Sequence, residues 1–480
     1  MYVADSRSSK APAPAPRPGR GPLRPGGGSG GRAAARAAVP GTVLALGTVS
    51  LVTDVSSEMV SAVLPLYLLA GLGLSPLGFG LLDGIQNGFS ALVRLAGGHL
   101  ADRRGADGER RHKAVAVVGY GLSALCKPLL LLAHTVPLIG AVLAVDRTGK
   151  GLRTAPRDAM ISLATEPEHR GRAFGVHRAM DTAGALLGPL AAFLVLRLAG
   201  GPLLADGGER HGYDAVFTVS ACVALLGVLV LLLFVPNRIL GGENEGDEPS
   251  AGSPRLRDGL ALLRLPGLRR LAVCAVLLGL TTVSDSFLYL LVQRRLGLAT
   301  DLFPLLPLGT AAAFLLLAVP LGALADRIGR TLLFLAGHGL LLLAYGLLLS
   351  PLSGLPAVLC VLVLHGAFYA ATDGVLAAAA ADAVPADQRG AGLALVGTGQ
   401  ALARFACSLV FGALWSAVGG TTALAWSAAA LACCVAGASL VLREPAAAVS
   451  GPAATGPVVS APAATEPAAA EAPTDPEVPS

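Results

Sequence analysis

Two stretches of the chain read nearly alike: GHLADRRG at Gly98–Gly105 and GALADRIG at Gly322–Gly329. Each copy closes the second long apolar run of its half. Counted outward from the copies, other positions fall into register. Leu81–Asp83 stands opposite Leu305–Pro307, and EPEHRG at Glu166–Gly171 recurs, one residue longer, as VPADQRG at Val384–Gly390. Asp54 in the first run matches Asp285 in the seventh. Such internal duplication marks secondary transporters, whose substrate site lies near the bilayer midplane between the repeats.

Composition agrees. The 480 residues are 54% hydrophobic and 14% charged, with positive mean hydropathy, whereas soluble domains carry about a quarter charged residues. A helix needs roughly 20 apolar residues to cross a bilayer core of about 30 Å. Twelve such runs are expected as spans: 42–70, 77–101, 113–134, 137–164, 172–198 and 214–235, then 268–293, 301–325, 331–350, 355–383, 390–417 and 421–442. A Gly/Glu/Pro-rich linker, 236–267, divides the bundles 42–235 and 268–443. Segments 1–41 and 444–480 read as disordered tails. The first tail carries seven basic residues against Asp5 and lacks the apolar core of a signal peptide.

Charge asymmetry orients the chain. Loops after even spans read DRRGADGERRHK, EPEHRGR, DRIGR and DQRG, while most loops after odd spans are nearly uncharged. The bias predicts a multi-pass protein of the cell membrane with both termini cytoplasmic. Basic residues confined to tails and short loops do not suggest nucleic acid as a partner. Cys126, Cys222, Cys274, Cys360, Cys407, Cys433 and Cys434 all lie inside apolar runs without metal-ligand spacing, so they read as packing residues. No cofactor or metal is expected, and the protein is expected to be a monomer surrounded by lipid.

The charges inside the spans carry the functional reading. In span 4, Asp146, Lys150, Arg153 and Arg157 follow at i, i+4, i+7 and i+11, one stripe of a helix, with Arg147 and Asp158 beside it. Intramembrane charges usually face a bundle interior or a wet cavity. Arg147 and Lys150 fall near mid-membrane at about 1.5 Å per residue. Arg157 and Asp158 fall near the cytoplasmic surface, where snorkelling is the competing reading. Span 1 offers Asp54, Ser57, Glu58 and Ser61; span 2 offers Asp83, Gln86, Asn87, Ser90 and Arg94. Span 5 has His177, Arg178 and Asp181; span 7 has Thr282, Asp285 and Tyr289. Span 10 has His365, Tyr369, Thr372 and Asp373, and span 11 has Gln400, Arg404 and Ser408. Spans 6 and 12 lack interior charge, span 9 has His338, span 3 has Lys127, and span 8 adds little beyond Thr310. Roughly every third span therefore suits a lipid-facing position, and a wet cavity between the halves accounts for the rest.

If Arg94, Arg147, Lys150, Arg153, Arg178 and Arg404 all face inward, an anionic or zwitterionic cargo is favoured. If Asp54, Glu58, Asp83, Asp146 and Asp181 neutralise them, structural ion-pair networks result. Both readings stand at this level. Tyr67, Phe287, Tyr289, Phe368 and Tyr369 are candidate stacking surfaces, with packing as the alternative.

These features resemble the major facilitator superfamily over about residues 42–443. Gly98, Leu100, Ala101, Asp102, Arg103 and Gly105 fit the signature of its loop between spans 2 and 3, although Ala106–Glu109 intervene before the next basic pair. Gly322, Leu324, Ala325, Asp326, Arg327, Gly329 and Arg330 form the cleaner second copy. The resemblance implies that these loops latch the cytoplasmic side in an outward-facing state. Leu143, Arg147, Gly151 and Ala155 are similar to the span 4 signature, with Lys150 where an amide is usual, and imply a part for Arg147 in proton transfer. Gly175, Gly184, Gly188 and Pro189 match a span 5 pattern associated with antiporters, where Ala192 and Phe193 replace its final glycines. The implied fold is all-α: twelve transmembrane helices in two pseudo-symmetric six-helix bundles around a central cavity.

The expected function is secondary active transport of a small organic molecule, with proton-coupled export preferred over import or facilitation of a metabolite or metal chelate. A transporter-like receptor and an integral-membrane enzyme are remote alternatives. The chain has no GxSxG elbow, HExxH site or phosphate loop.

Overall fold

The computed structural model describes residues 39–101, 112–199, 208–236, 261–385 and 388–443. The expected tails, most of the linker and the loop bearing Asp102, Arg103 and Gly105 lie outside them. Twelve helical spans are present among the described residues: Gly41–Leu66, Pro76–Ala101, His112–Leu132, Val136–Leu163, Arg170–Ala199 and Gly208–Phe234, then the seventh, followed by Leu305–Ile328, Arg330–Leu349, Leu355–Asp382, Arg389–Val418 and Gly420–Arg443. Ten of them are apolar enough by length and composition to cross a membrane. The two that fall short are spans 2 and 4, which carry the densest polar stripes among the first six.

The duplication is visible in packing. In the first half span 1 packs on spans 5 and 6, span 4 on spans 2 and 3, and span 3 on span 6. The second half repeats each pairing six spans later: 7 on 11 and 12, 10 on 8 and 9, and 9 on 12. Small residues allow these close approaches in an apolar solvent. A Cβ on Gly184 of span 5 would sit 2.5 Å from the Leu51 carbonyl oxygen of span 1. On Gly188 it would sit 2.6 Å from the Glu58 Cβ. Gly175, the first glycine of that pattern, meets nothing within 4 Å.

Span 7 was expected to be continuous and is not. It runs as Pro266–Thr281, breaks at Thr282–Ser284, and resumes as Asp285–Leu296. Backbone freed inside a membrane must find partners. Here the Val283 N–H donates to the Tyr345 hydroxyl at 2.8 Å, and the Cys407 thiol donates to the Thr282 carbonyl at 3.1 Å. Those partners come from spans 9 and 11, so no local pattern announces the break. Span 1 is also modified beyond Pro65, ending in a π turn at Tyr67–Gly71.

The halves meet at the end bearing the odd loops. The Leu77 N–H of span 2 donates to Ser416 Oγ of span 11 at 3.0 Å, and Ser408 Oγ donates to Asp83 Oδ2 at 2.7 Å. Phe79 packs edge-on against Phe287 with ring centres 4.8 Å apart, and Phe287 against Phe411 at 4.9 Å. Arg197, ending span 5, pairs with Asp301 before span 8 at 2.9 Å. Exposed leucines cover spans 3, 6 and 9 as expected, and also spans 5 and 8 through Leu187, Leu190, Leu194, Leu315 and Leu316. Cys222, Cys360 and Cys433 are exposed rather than packed inside.

Candidate functional site

A cavity of about 420 Å³ lies between the halves. Spans 1, 2, 4 and 5 build one wall with Glu58, Ser61, Pro65, Gln86, Asn87, Arg147 and Pro189. Spans 7, 8 and 10 build the other with Asp285, Ser286, Tyr289, Thr310, Phe314, Tyr369 and Asp373. No side chain of spans 3, 6, 9 or 12 lines it, in line with their outer positions. Thr310 gives span 8 a larger share of the polar lining than its sequence suggested.

The span 4 stripe divides among neighbours instead of facing the cavity as a unit. Asp146 turns toward span 3, where Lys127 Nζ donates to its Oδ1 at 3.0 Å with both side chains buried. Arg153 reaches span 1, with Nη2 donating to Asp54 Oδ1 at 3.1 Å and its guanidinium 4.5 Å from the Tyr120 ring centre. Lys150 stands 3.6 Å from Glu58. Arg157 is buried rather than snorkelling, bound to Asp158 at 3.0 Å and lying 3.6 Å from Asp181 and 3.3 Å from Ser50 Oγ. Among the described residues the span 4 base that lines the cavity is Arg147, which lies beside the stripe.

The second half holds its acids differently. Asp285 begins the resumed half of span 7, where a helix N-terminus favours negative charge. The Tyr369 hydroxyl donates to its Oδ1 at 2.6 Å, and His365 Nε2 lies 3.3 Å away. Asp373 stands 3.7 Å from Arg404, whose guanidinium lies 5.7 Å from the Tyr369 ring centre.

Of the sequence candidates, the cavity collects Glu58, Arg147, Asp285, Tyr289 and Asp373. Lys150 and Arg404 stand behind these as partners of Glu58 and Asp373, while Asp54 and Arg153 pair with each other. Asp83 is buried in the bridge between the halves, and Asn87 Nδ2 also donates to it at 3.2 Å. His177 is buried away from the lining with both ring nitrogens unpartnered among the described residues. Arg178 is exposed, 3.5 Å from Asp181. The Arg94 side chain lies outside the described residues, and Gly98 sits in the last turns of span 2. Tyr67, Phe287 and Phe368 are buried packing residues; Tyr289 and Tyr369 face the cavity. His365 and Lys127 were visible in the sequence but were not among the site candidates. Their importance lies in which acid each meets, a contact 80 and 19 residues away in sequence.

In the second loop copy, Arg330 anchors to the Ala378 carbonyl at 3.2 Å and to Asp382, both on span 10. Asp326 is 70% exposed, 3.6 Å from Arg330.

Duplicated helical halves, a broken span and a polar cavity between them define a multi-pass membrane protein that carries a small-molecule substrate: a secondary transporter, not an enzyme. The chain matches the model of the Major Facilitator Superfamily over residues 46–314 and 271–472. It belongs to that family. It is 29% identical over 385 residues to an uncharacterized MFS-type transporter of Methanocaldococcus jannaschii, covering 78% of this chain and 88% of that one. An uncharacterized protein of Mycobacterium tuberculosis is 32% identical over 207 residues, covering 43% and 46% of the two chains. Among solved structures, the nucleoside transporter NupG superposes with a TM-score of 0.67 at 13% identity, covering 84% of this chain and 99% of that one. A bacterial homolog of the human lysosomal transporter Spinster, in an inward-facing and unoccupied conformation, gives 0.66 at 16% identity, covering 84% and 96%.

Proposed function

We propose that the protein is a proton-coupled exporter of a small organic molecule, with the halves 42–235 and 268–443 rocking about the cavity. The observation that carries this reading is the contrast between two acids one turn apart on span 1. Asp54 and Arg153 meet at 3.1 Å with side chains 13% and 4% exposed. Glu58 and Lys150 stand 3.6 Å apart, each about a third exposed. The charge on a carboxylate follows its dielectric surroundings and nearby cations. A loose pair at a wet wall can exchange protons, and any shift of span 4 against span 1 changes that acid's partner. Glu58 is therefore the proton site and Asp54 a structural acid. Arg147 keeps its own proton, so its part is electrostatic.

Export is supported by the span 5 pattern. Gly188 seats that helix directly beside Glu58, and Pro189 lines the cavity. Orientation is supported by the Lys/Arg bias of the even loops. With those loops cytoplasmic, the bridged end faces outward and the conformation is inward-facing. We place the protein in the cell membrane as a monomer.

A metabolite and drug screen in inside-out vesicles, with a pH-sensitive dye reporting proton movement, tests the reading. A substrate should release protons from the wild-type vesicles. Glu58→Gln should retain substrate exchange and lose gradient-driven accumulation by at least about tenfold, the scale of one charge-assisted interaction. Uphill flux undiminished in Glu58→Gln would show that this acid is not the coupling site.

A further inference from the structure

Four charged side chains line the cavity: Glu58, Arg147, Asp285 and Asp373. Two of them are matched by cations, Glu58 by Lys150 at 3.6 Å and Asp373 by Arg404 at 3.7 Å. Arg147 has no acid of its own. Its neighbour Asp146, at 3.7 Å, already accepts a hydrogen bond from Lys127 at 3.0 Å, and the Arg147 Nε is buried without an acceptor among the described residues. Asp285 is not matched by a fixed cation either. It holds the Tyr369 phenol and the His365 imidazole, and Arg404 has two acids to serve.

Directly behind the first wall Lys127 and Arg147 share Asp146, while Lys150 meets Glu58 and Arg153 meets Asp54. Behind the second, Arg404 faces Asp285 and Asp373, one base against two acids. Two bases thus share one acid on one side of the cavity, and two acids share one base on the other. A charge held away from bulk water without a partner is expensive, and a bound molecule carrying both complements relieves both at once.

We infer that the cargo is dipolar: an amine–carboxylate or similar molecule whose anionic group meets Arg147 and whose ammonium group meets Asp285. Tyr289, Phe303, Phe314 and Tyr369 provide an aromatic surface for the body between the poles. This rests on the cavity being the transport site, but not on proton coupling or on the direction of transport.

The test is binding at fixed pH with no gradient. Purified protein in detergent is screened by thermal stability against amino acids, dipeptides and betaines. The amino acids and dipeptides are accompanied by their methyl esters, which keep only the positive charge, and their N-acetyl forms, which keep only the negative. Stabilising compounds should be dipolar, and capping either end should weaken binding by more than about tenfold. Arg147→Gln should bind the methyl ester within a few-fold of the free form, and Asp285→Asn should do the same for the N-acetyl form. The two variants thus fail in opposite directions, which general damage would not produce. Equal binding of singly charged forms by the wild type, or stabilisation by no dipolar compound, overturns the inference. Loss of gradient-driven flux with this charge selectivity intact would count against proton coupling alone.

Discussion

Asp54 and Asp285 are acids on the first helix of each half, about two turns apart in the register that the loop motifs set, and their surroundings differ. In the first half, span 4 gives Asp54 a guanidinium, and Lys127 gives Asp146 an ammonium. In the second half, span 10 gives Asp285 a phenol and an imidazole. The first arrangement has fixed charge and closed geometry. The second sets a phenol and an imidazole beside the acid in place of a lysine or arginine. Each half carries an acid on its first helix, and the fourth helix of each half sets whether that acid meets a fixed cation or hydrogen-bonding rings.

The largest expected effect tests the scaffold side. Removing one member of a buried ion pair strands its partner and costs about 3–5 kcal/mol, whereas replacing both by apolar residues is often neutral. Lys127→Met should therefore lower the thermal midpoint sharply, and Lys127→Met with Asp146→Leu should recover most of the loss. Equal stability of the single variant and the wild type would mean that this pair is no scaffold, and the contrast between the halves would collapse.

A smaller structural effect is expected in the second half. Tyr369→Phe removes one hydrogen bond to Asp285, and His365→Asn removes the imidazole beside it. Each should cost about 1 kcal/mol of stability while lowering transport of a screened substrate roughly tenfold. Wild-type transport in both variants would make the second half a scaffold like the first.

The sequence made this comparison possible only in part. The twin loop motifs and the span lengths were legible because duplication and hydropathy are local or periodic signals. The outer positions of spans 6, 9 and 12 followed from their lack of interior Asp, Glu, Lys or Arg, whereas Lys127 made span 3 an exception. Pairing was harder to read. Helical spacing put Asp146, Lys150, Arg153 and Arg157 on one stripe, yet a stripe on a helix surrounded by spans 1, 2, 3 and 5 can serve several neighbours. Asp146 went to Lys127 and Arg153 to Asp54, leaving Arg147 at the cavity. The broken span 7 was hidden for a related reason, since Tyr345 and Cys407 satisfy its freed backbone from distant positions.

The smallest effect on stability, and the one that sharpens the comparison at the cytoplasmic loops, is expected at Asp326. Its carboxylate is 70% exposed and lies 3.6 Å from Arg330, an i, i+4 neighbour on its own half. Exposed pairs of this kind contribute little, about 0–1 kcal/mol. Asp326→Asn should accordingly leave the thermal midpoint of this conformation nearly unchanged. If Asp326 makes its latching contact only in the opposite state, losing that contact moves the population toward the present one. A coupling of about 1 kcal/mol corresponds to roughly a fivefold shift. The readout is the labelling rate of Ser61→Cys at the cavity wall by an impermeant thiol reagent applied from the side of the termini. The exposed Cys222, Cys360 and Cys433 are replaced in the background. Labelling should rise several-fold in Asp326→Asn and in Asp102→Asn. Unchanged labelling in both would remove the latch from these loops and leave Arg330, anchored to span 10, with a purely structural part.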